Sequence, residues 1–264
     1  MLKTAIIQFQ PKFADIHSNI QLVQSFLEKS QDAELVILPE LANTGYNFEN
    51  RAQAMALANL PEKSEYVEML NEQAKKNDQI IVTGFCEISG EQLFNTSLLI
   101  TKNGIVGKYR KVHLFMNEKS IFEPGDLGFP VFDVNGFKMG MLICFDYLFA
   151  EVWRIMALKG AEIIAHPSNL ITENALRVVP AQAVMNRIFI ITANRTGTER
   201  DITFNGNSFA VDPSGNIINR ASGDADEILS FEIEVDKARD KFITPLNHVL
   251  EDRFPEKYTE LIKQ

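Results

Sequence analysis

Apolar positions along the chain recur with two periods that alternate. Thr4 to Phe9 reads as a strand, and Ile16, Ile20, Val23 and Leu27 then follow at spacings of 4, 3 and 4, one face of a helix. Glu34 to Leu38 reads as a short buried strand closed by Pro39, and Val67, Leu70 and Ala74 mark a second helical face. Gln79 to Phe85 and Ser97 to Thr101 read as strands, and Asn103-Gly104 is a turn signal before a strand-like Ile105 to Tyr109. The second half repeats the pattern. Lys138 to Ile143 is a strand. Phe149, Val152, Trp153, Met156 and Ala157 form a helical stripe that Gly160 ends, and Ala161 to Ala165 is a strand. Pro180 suits the first turn of a helix, with Ala181, Val184 and Met185 on one face. Arg187 to Ala193, Asn207 to Val211 and Glu227 to Val235 read as the last strands.

Strands interleaved with helices predict an α/β fold. So many strands without a repeat or a Pro/Gly-rich linker predict two packed sheets in a single domain over 1–264. The segment from about Asp236 is charged and aperiodic, an arm that is either solvated or docked on a partner subunit. Ala5 to Ile7 is too short for a signal-peptide core of ~7–15 residues. The apolar run Met141 to Phe145 is far below the ~20 residues that span a bilayer. The chain therefore reads as soluble and cytoplasmic, with no membrane partner.

Charge and cysteine usage narrow the function classes. Of 264 residues, 26 are basic and 35 acidic, a formal net charge of −9, which disfavours nucleic acid as a partner. Cys86 and Cys144 are the only cysteines and neither lies in a CxxC motif, so two free thiols in a reducing compartment are expected. Cys144 ends an apolar strand, in Gly140-Met-Leu-Ile-Cys144-Phe-Asp146, five residues before the helical stripe. A strand-to-helix corner exposes a nucleophile beside free backbone N–H groups. Taken alone, a free cysteine is more often a small core residue. Cys86 has no corner and reads as core.

Two further residues leave strands in the same way. Glu40 follows Leu35-Val-Ile-Leu-Pro39, at the rim where ligands bind in α/β folds, and partial burial there would move it toward general-base range. Lys111 follows the Ile105 to Tyr109 segment. Alternation puts Tyr109, Lys111 and His113 on one side and Arg110 and Val112 on the other. A lysine beside a cysteine stabilises a thiolate and later an oxyanion. The four histidines, His17, His113, His166 and His248, lack metal-site spacing, so no metal is expected. Spacing alone leaves open a Cys–His hydrolase that uses His113 or His166.

These segments resemble the nitrilase superfamily of carbon–nitrogen hydrolases from Ala5 to about Glu234. The resemblance rests on Leu38-Pro-Glu40-Leu with Thr44-Gly-Tyr46, Tyr109-Arg-Lys111-Val-His-Leu-Phe115, Ile143-Cys144-Phe-Asp146 and His166-Pro-Ser-Asn169. Phe122-Glu-Pro-Gly-Asp-Leu-Gly-Phe129 and Ala157-Leu-Lys-Gly-Ala-Glu162 look most like its aliphatic amidase and nitrilase branch. The late-helix segment Gln182-Ala-Val-Met185-Asn186 departs from the family's Arg-Ala-x-Glu-Asn. The resemblance implies a four-layer αββα sandwich and a catalytic triad of Glu40, Lys111 and Cys144. It implies Glu118, Tyr46, Asn169 and Phe145 as substrate-positioning residues, and no cofactor. The implied substrate is a small aliphatic amide, an N-carbamoyl amine or a nitrile, cleaved through a thioester. The implied assembly is a homodimer or higher oligomer, through the helices near Val152 to Lys159 and Pro180 to Arg187. A catalytically silent binding protein that keeps the fold is the alternative of another class.

Overall fold

The computed structural model describes residues 1–263. Two six-stranded mixed sheets lie face to face between helices. The first contains β1 (Leu2–Gln8), β2 (Leu35–Ile37), β3 (Ile80–Ser89), β4 (Gln92–Thr101), β5 (Gly104–Arg110) and β14 (Glu227–Ile233), in the order β14-β1-β2-β3-β4-β5. Its β1, β2 and β3 run parallel and its other pairs antiparallel. The second contains β6 (Val131–Val134), β7 (Phe137–Met141), β8 (Ile163–Pro167), β9 (Phe189–Ala193), β12 (Phe209–Val211) and β13 (Ile217–Arg220), in the order β13-β12-β9-β8-β7-β6. Here β7, β8 and β9 are the parallel core. The short pair β10 (Thr198–Glu199) and β11 (Ile202–Thr203) forms a separate ribbon.

Period-2 alternation decides which side chains fill which layer. Ile6, Ile37, Val82 and Leu99 face the second sheet and pack with Met139, Ile163 and Ile191. Their chain neighbours Ala5, Ile7, Val36, Ile81 and Leu98 face outward. They bury Val23 and Leu27 of α1 (Ile16–Lys29) and Val67 and Leu70 of α3 (Glu65–Asn77). Each such aliphatic side chain removed from water is worth about 1.5–3 kcal/mol. On the far face, α5 (Ala150–Leu158) and α6 (Asn174–Asn186) cover the second sheet. The approach of α5 is close: a Cβ on Gly140 would lie 2.4 Å from the Met156 sulfur. Two shorter helices, α2 (Arg51–Leu57) and α4 (Glu118–Ile121), sit in the connections of the first half. No helix among the described residues is long and apolar enough to cross a membrane.

The structure revises several boundaries. Helix α6 starts at Asn174, so Pro180 lies inside it rather than in its first turn. The six extra residues move the buried face to Ala175, Val179, Gln182, Ala183 and Asn186, while Val184 and Met185 are exposed. Arg187 ends this helix in the left-handed region (φ 51°), which delays the following strand to Phe189. β4 begins at Gln92, earlier than expected, because its first half buries the polar Asn95, Thr96 and Ser97, which an apolar pattern does not reveal. Helix α2 and strands β6 and β13 are too short and too weakly patterned to stand out in the sequence. The terminal segment forms a small ribbon of β15 (Phe242–Thr244) with β16 (Asn247–His248), followed by 3₁₀ turns. Polar bonds tie it back to the second sheet's helices. Arg154 Nη1 donates to Val249 O at 2.9 Å, and Lys241 Nζ donates to Arg187 O at 2.7 Å.

Candidate active site

Three strand exits meet at one edge of the sandwich, two of them, after β2 and β7, at the carboxyl ends of parallel strands where α/β ligand sites form. Past β2 the chain stays paired with β3, since Leu38 N–H donates to Val82 O (2.8 Å) and Gly84 N–H to Pro39 O (3.0 Å). This delivers Glu40 to the edge before the chain turns at Leu41 (φ 49°). Position 84 must be glycine, because a Cβ there would lie 2.4 Å from the Glu40 Cα. Lys111 follows β5 and is fixed by its own N–H on Asn95 O at 2.8 Å. Past β7, Leu142 N–H still reaches Ala165 O (3.0 Å), and the chain then bends at Cys144. Cys144 has φ 43°, a left-handed conformation that costs a non-glycine residue about 1–2 kcal/mol. The strand-to-helix corner expected here is a 3₁₀ turn, Cys144–Leu148.

The side chains at these exits form one buried charge cluster. Lys111 Nζ donates to Glu40 Oε1 and to Glu118 Oε1, each at 2.7 Å. Asn95 Nδ2 also donates to Glu40 Oε1 at 2.7 Å, while Glu40 Oε2 is buried with no partner. Burial raises the Glu40 pKa to about 7, with Lys111 opposing and Glu118 adding to the rise. Burial works against a charged Lys111, but Glu118 and Glu40 outweigh it and raise its pKa, so the ammonium persists. Burial and the Glu40 charge push the Cys144 thiol well above its ordinary value, against the pull of Lys111. The resting residue is therefore a thiol, not the thiolate expected from a neighbouring lysine alone. Cys86 is fully buried in β3 and its thiol is raised by burial with no ionic neighbour among the causes.

Asp146, to which the sequence reading assigns no role, holds the bend together with His113 and His166. Asp146 is wholly buried and caps it, accepting from Ile143 N–H at 2.9 Å and from the Tyr109 hydroxyl at 2.7 Å. Its other oxygen accepts from His113 N–H (3.1 Å) and lies 2.7 Å from His113 Nδ1. One carboxylate thus locks the Lys111–His113 segment to the cysteine turn. His166 Nε2 lies 2.9 Å from the Cys144 carbonyl oxygen and Nδ1 lies 3.0 Å from Thr192 Oγ1. A carbonyl can only accept, so Nε2 carries the proton. Burial lowers the His166 pKa to about 4 and keeps the ring neutral. His166 thus has both ring nitrogens engaged, whereas His113 is held through Nδ1 alone.

Glu118, at the first position of α4, joins the cluster to a small cavity. Its Oε1 also accepts from the Tyr46 hydroxyl at 2.7 Å, and its Oε2 from Phe115 N–H at 3.1 Å. Tyr46, Glu118 and Asn169 line the cavity together. Asn169 is buried and neither its side-chain nitrogen nor its oxygen has a partner. The Phe145 ring lies in a neighbouring cleft with His113 and Phe149, so of that residue only the backbone stays with the cysteine. A buried pair that went unnoticed in the sequence secures the Tyr46 loop. Arg195, on the loop after β9, is paired with the Glu199 carboxylate, which accepts from Tyr46 N–H (2.9 Å) and Asn47 N–H (2.8 Å). The Arg195 guanidinium lies 4.2 Å from the Phe204 ring centroid, and Phe204 packs edge-on to Tyr46.

The carbon–nitrogen hydrolase profile matches residues 3–241. The chain belongs to the carbon–nitrogen hydrolase family. This hydrolase is 40% identical over 260 residues to a protein named nitrilase from Pyrococcus abyssi, covering 98% of this chain and 99% of that one. It is 30% identical over 231 residues to an (R)-stereoselective amidase from a Pseudomonas species, covering 84% and 82% of the two chains. Its fold matches an amidase mutant from Nesterenkonia sp. AN1 with a TM-score of 0.84 and 25% identity, covering 98% and 96%. That solved structure carries the acetamide moiety of fluoroacetamide on its active site cysteine. The hydrolase is thus a nitrilase-superfamily enzyme with the two-sheet αββα architecture of its relatives.

Proposed function

We propose that the enzyme hydrolyses small carboxamides through a thioester on Cys144, with Glu40 as general base and Lys111 as electrophile. The observation that carries this reading is the unpartnered Glu40 Oε2, buried beside a permanent ammonium and a strained cysteine turn. A base near pKa 7 is half ionised at neutral pH, where general catalysis is most efficient.

Glu40 removes the Sγ proton of Cys144 as sulfur attacks the amide carbon. The C=O electrons move to oxygen, which faces the Lys111 ammonium and the Phe145 N–H. Collapse breaks the C–N bond, and Glu40 returns the proton to the leaving nitrogen. Ammonia departs and the acyl group remains on sulfur. Glu40 then takes a proton from water, the hydroxide attacks the thioester, and the acid leaves with the thiol restored. Glu118 accepts hydrogen bonds from the substrate NH₂, Tyr46 fixes Glu118, and Asn169 contacts the bound amide. The covalent cysteine adduct in the Nesterenkonia amidase mutant supports Cys144 as nucleophile.

Nitrile hydrolysis is a second reading, favoured by the 40% identical relative named nitrilase. An N-carbamoyl amine would use the same three residues. A screen for ammonia release over carboxamides, carbamoyl compounds and nitriles separates the three. Cys144→Ala should lose at least about 10⁴-fold in kcat and form no acyl adduct by intact-protein mass spectrometry. Retained turnover in that variant removes the triad, and absence of turnover in both proteins favours the silent binding protein. Assembly follows from the same surface logic. Ile155, Leu158, Val184 and Met185 are exposed apolar residues on α5 and α6, and we read that face as the contact between two copies. Light scattering at micromolar concentration should report a dimer.

A further inference from the structure

Strand β4 carries three polar residues in its buried stretch, and period-2 alternation sends them to two faces. Thr96 turns outward and donates to Glu87 Oε2 at 2.6 Å. Asn95 and Ser97 share the face toward the second sheet, where Ser97 Oγ meets Met141 Sδ at 3.3 Å. Asn95 meets Glu40 instead, and the two ends of its buried amide differ. Nδ2 donates to Glu40 Oε1 at 2.7 Å, while Oδ1 has no partner. A buried orphan acceptor is a cost that an apolar residue of similar shape avoids, so packing does not account for an asparagine here. The main chain holds the amide in place. Asn95 pairs with Cys86 in the β3–β4 register, and its carbonyl accepts from Lys111 N–H at 2.8 Å.

Counting donors shows what that amide does. A carboxylate oxygen accepts two hydrogen bonds, and Glu40 Oε1 receives one from Lys111 and one from Asn95. An ammonium has three N–H donors, and Lys111 directs one to Glu40 and one to Glu118. With Oε1 filled by the amide, the third Lys111 N–H is left for a substrate oxygen and Glu40 Oε2 for the thiol proton. Without the amide, the carboxylate is held at one point and can turn both oxygens to Lys111, so that base and electrophile cap each other. A neutral donor also pins Glu40 without the added cation that Glu87 receives from Arg110. We propose that Asn95 is a positioning residue, whose amide locks one oxygen of Glu40 so that the other takes the Cys144 proton and one Lys111 N–H stays free for the substrate. This rests on the thioester reading above.

The test replaces Asn95 with leucine, close in shape but without a donor, and in parallel with alanine in case the larger side chain prevents folding. A folded variant should lose about 10–100-fold in kcat, the value of one hydrogen bond to a charged group. KM should stay within about twofold, since the substrate contacts remain. The Asn95 donor lowers the Glu40 pKa, so its loss should move the acidic limb of kcat/KM upward from about pH 7. In the Glu40→Gln background the same substitution should slow Cys144 acylation by less than about threefold more, because it acts through that carboxylate. A kcat within about twofold of wild type in a folded variant overturns the proposal. So does a limb that stays in place while kcat falls, and so does an equal loss in the Glu40→Gln background, the mark of a merely structural residue. These outcomes leave Glu40 as the base. Wild-type turnover in Glu40→Gln itself overturns the base assignment and the proposal together.

Discussion

Arg110 and Lys111 are consecutive residues, yet they enter two charge clusters of opposite character on the two sides of the chain. Glu87, the centre of the Arg110 cluster, is saturated. Lys108 Nζ and Arg110 Nη2 reach its Oε1 at 2.7 Å, and Thr96 Oγ1 (2.6 Å) and Arg110 Nε (3.1 Å) reach its Oε2. Arg110 also bonds Asp126 at 2.9 Å and lies 3.8 Å from the Phe94 ring centroid. Glu40, the centre of the Lys111 cluster, has two donors on one oxygen and none on the other. Both carboxylates are buried, but the donors overcome burial and lower the pKa of Glu87, while burial prevails and raises that of Glu40. Saturation makes a carboxylate structural, and a missing partner leaves one ready to take a proton.

The comparison is broken most severely at its reactive side. Glu40→Gln should cut kcat/KM by about 10²–10⁴-fold and erase an acidic limb near pH 7 in the wild-type profile. A limb that stays near pH 7 in the variant would assign it to another group. Linkage gives the two carboxylates opposite signs. The raised Glu40 binds more protons folded than unfolded, so its contribution to stability declines as pH rises from about 4.5 to about 7. The lowered Glu87 contributes above its ordinary pKa and loses that contribution as pH falls below it. Urea denaturation across pH 3–8, with each glutamate replaced by glutamine in turn, separates the two slopes.

Lys111→Ala should lose about 10²–10³-fold in kcat with the oxyanion donor gone. It should also destabilise, because Glu40 and Glu118 then face each other without a cation. Near-normal turnover in a folded variant would move the electrophilic role elsewhere. Glu87→Gln sharpens the contrast in the other direction. It should lower stability by about 3 kcal/mol in denaturant titration and leave the pH profile of kcat/KM in place. The smallest expected effect is in the Tyr46 clamp. Tyr46→Phe and Glu199→Gln should each reduce kcat/KM by roughly fivefold to tenfold, about one hydrogen bond. In the Tyr46→Phe background, Glu199→Gln should cost little more, since it acts through that hydroxyl. Additive losses would detach Glu199 from the site.

Period-2 alternation at Tyr109 to His113 was enough to set Lys111 apart from Arg110, and three apolar strands ending in Glu, Lys and Cys marked the site's edge. The layers were legible for the same reason, since buried aliphatic residues repeat with the period of the element that carries them. What stayed hidden depends on partners far apart in the chain. Asp146 meets His113 at a separation of 33 residues, and Glu199 meets Tyr46 at 153. No local spacing announces such pairs. Glu87 lay inside a strand whose apolar neighbours masked it. The Pro180 helix was misplaced because proline's fit to a first turn is a preference, and packing of Ala175 and Val179 overrode it.

The bend at Cys144 sets activity and robustness against each other. Glycine adopts that backbone without strain, so selection for heat resistance alone would favour a residue there with no sulfur at all. On the thioester reading proposed above, the same fold would then endure longer and lose its nucleophile. A stabilising programme for this enzyme therefore belongs away from both the α5–α6 face and the Cys144 turn, on exposed positions such as those of α1.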